Sequence, residues 1–151
     1  MPKEKDIPFL EIIKEIFGPV FDDYGFELQD KAVWSGDGEY IITAKKIDIE
    51  LNFYLGVSQL FYYCSAGIKL LGELGKRGTT DIKYRNIGIS TIAKCLDSEY
   101  KPFRESSQTS EEVKQQFENI KEDLLKYCKG ILSGDVSIWP TLISCLKNKK
   151  K

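Results

Sequence analysis

The stretch LGELGKRGTT, residues 71–80, is the part of the sequence whose residue types come nearest to a phosphate-binding loop. Glycines let a backbone approach a phosphate closely, and lysine and arginine supply positive charge. The spacing of a Walker motif is absent, because Leu70 stands where its first glycine belongs and Arg77 where its hydroxyl belongs. We therefore expect an ordinary loop between strands. The alternative is a small-molecule or nucleotide-phosphate binder that uses Lys76, Arg77 and the glycines of 72–78.

The residues that most often carry catalysis are sparse. The sequence contains no histidine, so Ser–His and Cys–His nucleophile pairs are excluded. The carboxylate pairs Asp22–Asp23 and Glu111–Glu112 fall near the ends of expected helices, where adjacent side chains point apart and acids are common for electrostatic reasons. We therefore expect no catalytic residue, no cofactor and no enzyme activity, and a protein whose function is binding.

Four cysteines are widely spaced and form no CxxC pair. They are Cys64, Cys95, Cys128 and Cys145. Zinc sites use close thiolate pairs or Cys/His clusters, so we expect no metal site. Each cysteine falls in an apolar periodic stretch, where a free thiol behaves as a small hydrophobe. No signal peptide or membrane-spanning run is recognisable, and with reduced cysteines this favours a cytoplasmic protein that does not bind a membrane.

Charge is distributed unevenly along the chain. The formal net charge is −1, and the pI is about 5.6. The tail 147–151 contains four lysines, so the balance of 22 basic and 23 acidic residues becomes 18 against 23, or −5, without it. An acidic chain argues against nucleic acid as a partner and suits a basic protein, because opposite charges steer an encounter. We expect the tail itself to be disordered.

Periodicity divides a single domain, residues 1–151, into a helix, a run of strands and further helices. The expected strands are 26–34, 40–46, 47–57, 60–70 and 81–90. The first expected helix, 7–24, is capped by Asp6, is kinked or divided into two abutting helices at Gly18–Pro19, and is closed by Gly25. The other expected helices are 91–96, a long one capped by Thr109 and ended by Ser133–Gly134, and 138–147. Residues 97–110 are expected to be a polar connection. This order predicts an α+β fold in which an N-terminal helix and C-terminal helices pack on an antiparallel meander of four to five strands.

Three aromatic residues fall on faces of the two clearest strands. Tyr54 lies on the polar face of 47–57, and Phe61 and Tyr63 lie on one face of the next strand. If the aliphatic residues of 47–57 point at the core, these three side chains cluster on the opposite face. Either a C-terminal helix covers that face, or it is an exposed patch for a partner, since tyrosine is enriched at interface hot spots. Trp139 has two similar alternatives: its indole packs inward, which we favour, or it is exposed to a partner.

Two segments resemble a loose pattern in small uncharacterised bacterial α+β proteins: FDDYGFEL, residues 21–28, and LLKYCKGILSGDVSIW, residues 124–139. Such proteins carry a helix ending in Tyr-Gly-Phe, a run of strands, and a late helix ending in Tyr-Cys-x-x-x-Leu-x-Gly-Asp. Some are found beside toxin genes and are suspected immunity proteins. The resemblance implies an immunity protein that neutralises a toxin by direct binding, and it transfers no catalytic residue.

The candidate partner-binding residues are therefore Tyr54, Phe61, Tyr63, Asp22 and Asp23. The acidic bias suggests that the partner is a basic toxin. A second alternative to this function is a homodimer resembling secretion chaperones, and the sequence leaves the oligomeric state open.

Overall fold

The strands form one antiparallel sheet with helices against it, as the order of the periodic segments predicts. The computed structural model describes residues 7–29, 31–36, 38–58, 61–101 and 107–149. The strands are β1 (Glu27–Leu28), β2 (Val33–Trp34), β3 (Glu39–Lys46), β4 (Ile49–Val57), β5 (Tyr62–Leu70) and β6 (Asn86–Gly88). The helices are α1 (Phe9–Tyr24), α2 (Gly72–Gly78), α3 (Ile89–Leu96), α4 (Ser110–Tyr127), α5 (Lys129–Leu132) and α6 (Trp139–Lys149). The α+β prediction is thereby confirmed.

The sheet has the order β1–β3–β4–β5–β6, and β2 also pairs with β3. The expected strand 26–34 is two short strands on the same edge of β3. Glu27 pairs with Lys45, and Val33 pairs with Ile41. The segment that carries β1 and β2 is therefore six residues long between these pairs, whereas β3 is only four, so the regular pairing is interrupted there. With this division the described residues form six strands, where four to five were expected.

Strand β4 shows the predicted alternation. Its core-facing side chains have almost no solvent exposure; they are Ile49, Leu51, Phe53 and Leu55. The prediction that Ile47 joins them is wrong, because this side chain is 88% exposed. Lys46 pairs directly with Ile49, so Ile47 and Asp48 form the two-residue turn between β3 and β4, with Asp48 at φ 63°.

The core lies between the sheet and helices α1 and α4. The ring of Phe17 lies 4.5 Å from that of Phe53 and 6.4 Å from that of Phe117, which joins both helices to β4. Helix α1 is continuous through Pro19, so the expected break into two abutting helices does not occur. Gly25 closes it at φ 77°, as predicted. The predicted cap, Asp6, lies outside the described residues.

The C-terminal helices follow the predicted signals with small shifts. Thr109 caps α4, since its Oγ1 accepts a hydrogen bond from the Glu112 N–H at 3.2 Å. The predicted long helix is divided into α4 and α5 at Cys128. Trp139 is fully buried, and its indole N–H donates to the Tyr84 carbonyl at 2.8 Å, so its inward packing is confirmed.

Two predicted boundaries need correction. Only Asn86–Gly88 of the expected strand 81–90 is a strand; a 3₁₀ turn over Ile82–Tyr84 precedes it, and α3 begins at Ile89. Helix α6 continues to Lys149, two residues beyond its predicted end and into the tail that we expected to be disordered. Residues 150 and 151 lie outside the described part of the chain.

Lys46 ties the sheet to the ends of two helices. Its Nζ donates to the Tyr24 carbonyl at 3.1 Å and to the Leu132 carbonyl, and it lies 5.1 Å from the centroid of the Phe26 ring. The last carbonyls of a helix lack intrahelical partners and carry the negative end of the helix dipole. One ammonium group therefore satisfies the C-terminal ends of α1 and α5, and its burial lowers the pKa of Lys46.

Candidate functional site

The sheet face turned away from α1 and α4 is open within the described part of the chain. Val33, Ile41, Tyr54 and Ser65 are direct neighbours across four strands on this face. Val33 is 54% exposed, and Tyr63, in the next row, is 51% exposed. Of the two alternatives left open for this face, the exposures of Val33 and Tyr63 favour the uncovered one within the described residues. We call Val33, Ile41, Tyr54 and Tyr63 the open-face patch.

The two tyrosines of the patch are positioned in different ways, Tyr63 by a glycine and Tyr54 by a hydrogen bond. Tyr63 lies opposite Gly56, where an added Cβ would be 3.4 Å from the Tyr63 Cβ, so the glycine leaves room for the ring. Tyr54 is half-buried and hydrogen-bonds the Asn86 side chain. Burial raises the pKa of Tyr54, and the nearby charges of the acidic side chains Glu39 and Glu50 add to the increase. Tyr54 is thus fixed in place, while Tyr63 is presented to solvent.

Phe61 lies at the border of the patch and outside the strand where it was predicted. Its N–H donates to Ser58 Oγ at 3.0 Å, and its carbonyl accepts from the Ser58 N–H at 2.9 Å, so it closes the β4–β5 connection. Sequence reasoning missed Val33 and Trp34, which is 50% exposed and packs 4.7 Å from the Tyr40 ring. In the sequence, only their position at the end of the expected strand 26–34 pointed to them.

Asp22 and Asp23 are not brought together with the aromatic residues. Both are exposed near the C-terminal end of α1, and α1 packs on the opposite side of the sheet from Tyr54 and Tyr63. They belong to an acidic helical layer. Helices α1 and α4 together carry nine acidic and four basic residues, a balance of −5.

The glycine-rich stretch 71–80 is not the expected loop, because most of it forms helix α2. Three glycines disfavour a helix by about 1 kcal/mol each, but tertiary contacts override this preference here. A Cβ on Gly78 would lie 2.7 Å from Leu70 Cδ1 and 3.1 Å from Trp139 Cδ1. The glycines therefore let the helix approach the core closely.

The N-terminus of α2 is already occupied by an anionic group of the chain itself. Asp48 accepts hydrogen bonds from the Leu71 N–H through its carbonyl, at 2.8 Å, and from the Leu74 N–H through its carboxylate, at 3.4 Å. Lys76 pairs with Glu73 at 3.4 Å, and Arg77 lies exposed at the far end of the helix. The geometry does not favour a phosphate at Lys76 and Arg77, because the helix N–H groups face Asp48.

The expectation of four reduced cysteines is wrong for two of them. A disulfide joins Cys95 on α3 to Cys145 on α6, with a Cα–Cα distance of 6.0 Å. Cys64 and Cys128 are free, and burial raises the pKa of each thiol to about 12. A pairing across 50 residues could not be read from the spacing. Because disulfides persist mainly in oxidising compartments, the cysteines no longer support a cytoplasmic location.

A small polar cavity lies between β5, α3 and α4. Its volume is about 50 Å³. Its lining residues are Cys64, Ser65, Ala66, Ile89, Ser90, Tyr100, Gln116, Asn119, Ile120 and Asp123. The Tyr100 hydroxyl donates to the Asp123 carboxylate, and burial of this carboxylate raises the pKa of Asp123.

A second tyrosine–aspartate pair holds the segment that carries Tyr100. The Tyr127 hydroxyl donates to Asp97 Oδ2 at 2.7 Å, and the Tyr127 ring meets the Tyr100 ring edge to face at 5.8 Å. Asp97 and Tyr100, in the segment expected to be a polar connection, are therefore both hydrogen-bonded to α4. Sequence reasoning missed this site; its signal was the row of polar residues Gln116, Asn119 and Asp123 at helical spacing beside the apolar stripe of α4.

Comparisons with protein-family models, with curated proteins and with solved structures find no match for this chain. Within the described residues, no helix combines the length and apolar character needed to cross a membrane. Functional inference therefore rests on the geometry and charge of the chain itself.

Proposed function

We propose that this protein is a non-enzymatic binding protein that neutralises a basic toxin by direct contact, as an immunity protein does. The observation that carries the proposal is the open-face patch. Two of its side chains, Val33 and Tyr63, are more than half exposed on a sheet face that no described helix covers. Tyrosine supplies a large contact area with few rotatable bonds, which is why it recurs at interface hot spots.

The choice of a basic partner rests on charge. Outside its lysine tail the chain carries a formal charge of −5. A field of this sign accelerates association with a cationic protein, and salt weakens the effect. In this proposal the charge governs the association rate, while the patch governs the lifetime of the complex.

Photo-crosslinking tests where the partner binds. A benzoylphenylalanine replaces Tyr63 in one variant and Ile82, which is 76% exposed outside the patch, in the matched control. In native cells we expect position 63, and not position 82, to crosslink to a basic protein. A crosslink to a second copy of this chain would favour a homodimer instead. Equal crosslinking at both positions, or none at 63, would contradict the proposal.

Affinity for the captured protein then tests the energetic role of the patch. We expect Tyr63→Ser combined with Val33→Ser to weaken binding about 30-fold, the effect of losing a hot spot of about 2 kcal/mol. Ile82→Ser should leave the affinity unchanged. Growth of cells that produce the basic protein should be rescued by the wild type and by the Ile82 variant only. Rescue by the double patch variant would contradict the proposal.

A further inference from the structure

The disulfide between Cys95 and Cys145 joins the C-terminal parts of two helices. Cys95 lies one residue before the end of α3, and Cys145 lies in the second half of α6. The bond spans 50 residues of sequence, so it limits how far two distant segments can separate. Both cysteines are only partly buried, and access to solvent is what allows an external thiol to attack a disulfide.

The two free cysteines are protected from exchange with this bond. Cys64 and Cys128 lie outside α3 and α6, and burial raises the pKa of each thiol to about 12. Almost none of either thiol is therefore ionised at neutral pH, and exchange proceeds through the thiolate. The disulfide is consequently opened by an external thiol rather than by a thiol of the same chain.

The first half of α6 is anchored in the core. Trp139 is fully buried and donates its indole N–H to the Tyr84 carbonyl at 2.8 Å, and Leu142 and Ile143 are buried beside it. Beyond Ile143, the described side chains of α6 are exposed or only partly buried. The end of the helix is therefore held much less firmly than its beginning.

Two weaker contacts accompany the disulfide at the end of α6. Leu146 is partly buried against the core, and Lys147 Nζ lies 5.5 Å from the centroid of the Tyr84 ring. The end of α3 has a further attachment, because the Tyr127 hydroxyl of α4 donates to Asp97 Oδ2 at 2.7 Å directly after α3. If the disulfide opens, α3 stays fixed to α4, and the end of α6 is the part that can move.

We propose that the disulfide is a redox-sensitive clasp, which fixes the last turns of α6, residues 144–149, against α3 and releases them when a dithiol reduces it. In this proposal the rest of the fold is retained, since Trp139, Leu142 and Ile143 keep their contacts. The clasp is closed in an oxidising compartment and open in a reducing one. It does not depend on the proposed function, because neither cysteine belongs to the open-face patch.

The reaction is thiol–disulfide exchange with the dithiol as reductant. One thiolate of the dithiol attacks a sulfur of the protein disulfide. The S–S bond breaks, a mixed disulfide forms, and the displaced cysteine takes up a proton. The second thiol of the dithiol then loses its proton, attacks the mixed disulfide and displaces the other cysteine. The protein gains two electrons and two protons, and the dithiol leaves as its own disulfide.

NMR of the full chain with and without dithiothreitol tests the clasp. Intact mass shows whether the bond is reduced, through the gain of two hydrogen atoms. After reduction we expect residues 144–149 to lose most of their helical Cα chemical shifts, while α4 and β4 keep their native shifts. Unchanged shifts at 144–149 after complete reduction would overturn the proposal. Loss of native shifts throughout the chain would also overturn it, because the bond would then support the whole fold.

Proteolysis measures the population of the released form. A protease that cuts after leucine can cleave at Leu146 only when the end of α6 opens, and we expect reduction to speed this cleavage about tenfold or more. A bond that dithiothreitol reduces only in the presence of denaturant would contradict a clasp that responds to its surroundings.

Variants separate the clasp from other effects of dithiothreitol. The double variant Cys95→Ala, Cys145→Ala should match the reduced wild type in both measurements and should not respond to the reductant. Cys64→Ala keeps the clasp and should respond as the wild type does. A double variant with an ordered segment 144–149 would overturn the proposal, and so would one that fails to fold.

Discussion

The two faces of the sheet are built from alternate residues of the same strands, yet they have opposite surroundings. On β4, Phe53 is fully buried against Phe17 of α1, whereas its neighbour Tyr54 lies on the face that no described helix covers. Because successive side chains of a strand point to opposite faces, one stretch of sequence supplies both the covered face and the open face. The difference shows that the covered face holds the fold together, and that the open face is available for contact with another molecule.

The largest expected effect comes from breaking the covered face. Phe53→Ala should lower the free energy of unfolding by about 3–5 kcal/mol, because it leaves a cavity beside two aromatic rings. Its ring lies 4.5 Å from that of Phe17 and 5.9 Å from that of Phe21. Urea titration followed by circular dichroism measures the change.

Tyr63→Ala is the matched control on the open face, and it should change the free energy of unfolding by less than about 0.5 kcal/mol. If both variants lose several kcal/mol, the open face is also structural, and the comparison between the faces fails.

Alternation and helical spacing were enough to predict the α+β class and the buried residues of β4, because burial on one face imposes a regular pattern on the sequence. The pattern does not say where a strand reverses. Ile47 has the right spacing for the core, but Asp48 adopts a left-handed conformation and makes the turn there. Turn position was therefore the weaker part of the prediction.

Contacts that join distant segments could not be predicted. Helix α2 forms in spite of its glycines because Asp48, more than 20 residues earlier, accepts hydrogen bonds at its start and Trp139 packs near its end. The polar cavity has the same origin, since Tyr100 meets Asp123 only after α4 has packed beside β5. Residues that are ordinary in sequence thus become a candidate site through packing.

Lys45 and Lys46, at the end of β3, allow the same comparison of the two faces with a smaller expected effect, because adjacent strand residues point to opposite faces. Lys46→Met keeps the aliphatic stem but leaves the carbonyls of Tyr24 and Leu132 without their donor. We expect a loss of about 1–2 kcal/mol in the free energy of unfolding, because two partly buried carbonyls lose their charged donor. Thermal and urea unfolding would both report it.

Lys45→Met is the control, because Lys45 lies on the open face and pairs with Glu50 at 3.5 Å. The Lys45 side chain is 52% exposed and that of Glu50 is 16% exposed, and ion pairs that water reaches contribute about 0–1 kcal/mol. A Lys45 variant as destabilised as the Lys46 variant would contradict the role assigned to the two helix ends.

The smallest expected effect is a difference in pH dependence between a carboxylate on the covered side of the sheet and an exposed one. Burial raises the pKa of Asp123 above its ordinary 3.8, so folding favours its protonated form. The stability that this group contributes is complete below pH 3.8 and is lost as the pH rises through the folded-state pKa. Asp123→Asn should therefore become more stable relative to the wild type as the pH rises from about 3.8 toward 7.

Asp135 should show the opposite slope. Its carboxylate accepts from the Ser137 N–H at 3.0 Å, and this hydrogen bond holds the pKa of Asp135 below 3.8. Its contribution is present above pH 3.8 and is lost as the pH falls through the folded-state pKa, so the disadvantage of Asp135→Asn should shrink on acidification. Urea titrations of both variants at a series of pH values measure the two slopes. Slopes of the same sign would mean that burial beside the cavity does not control the pKa of Asp123.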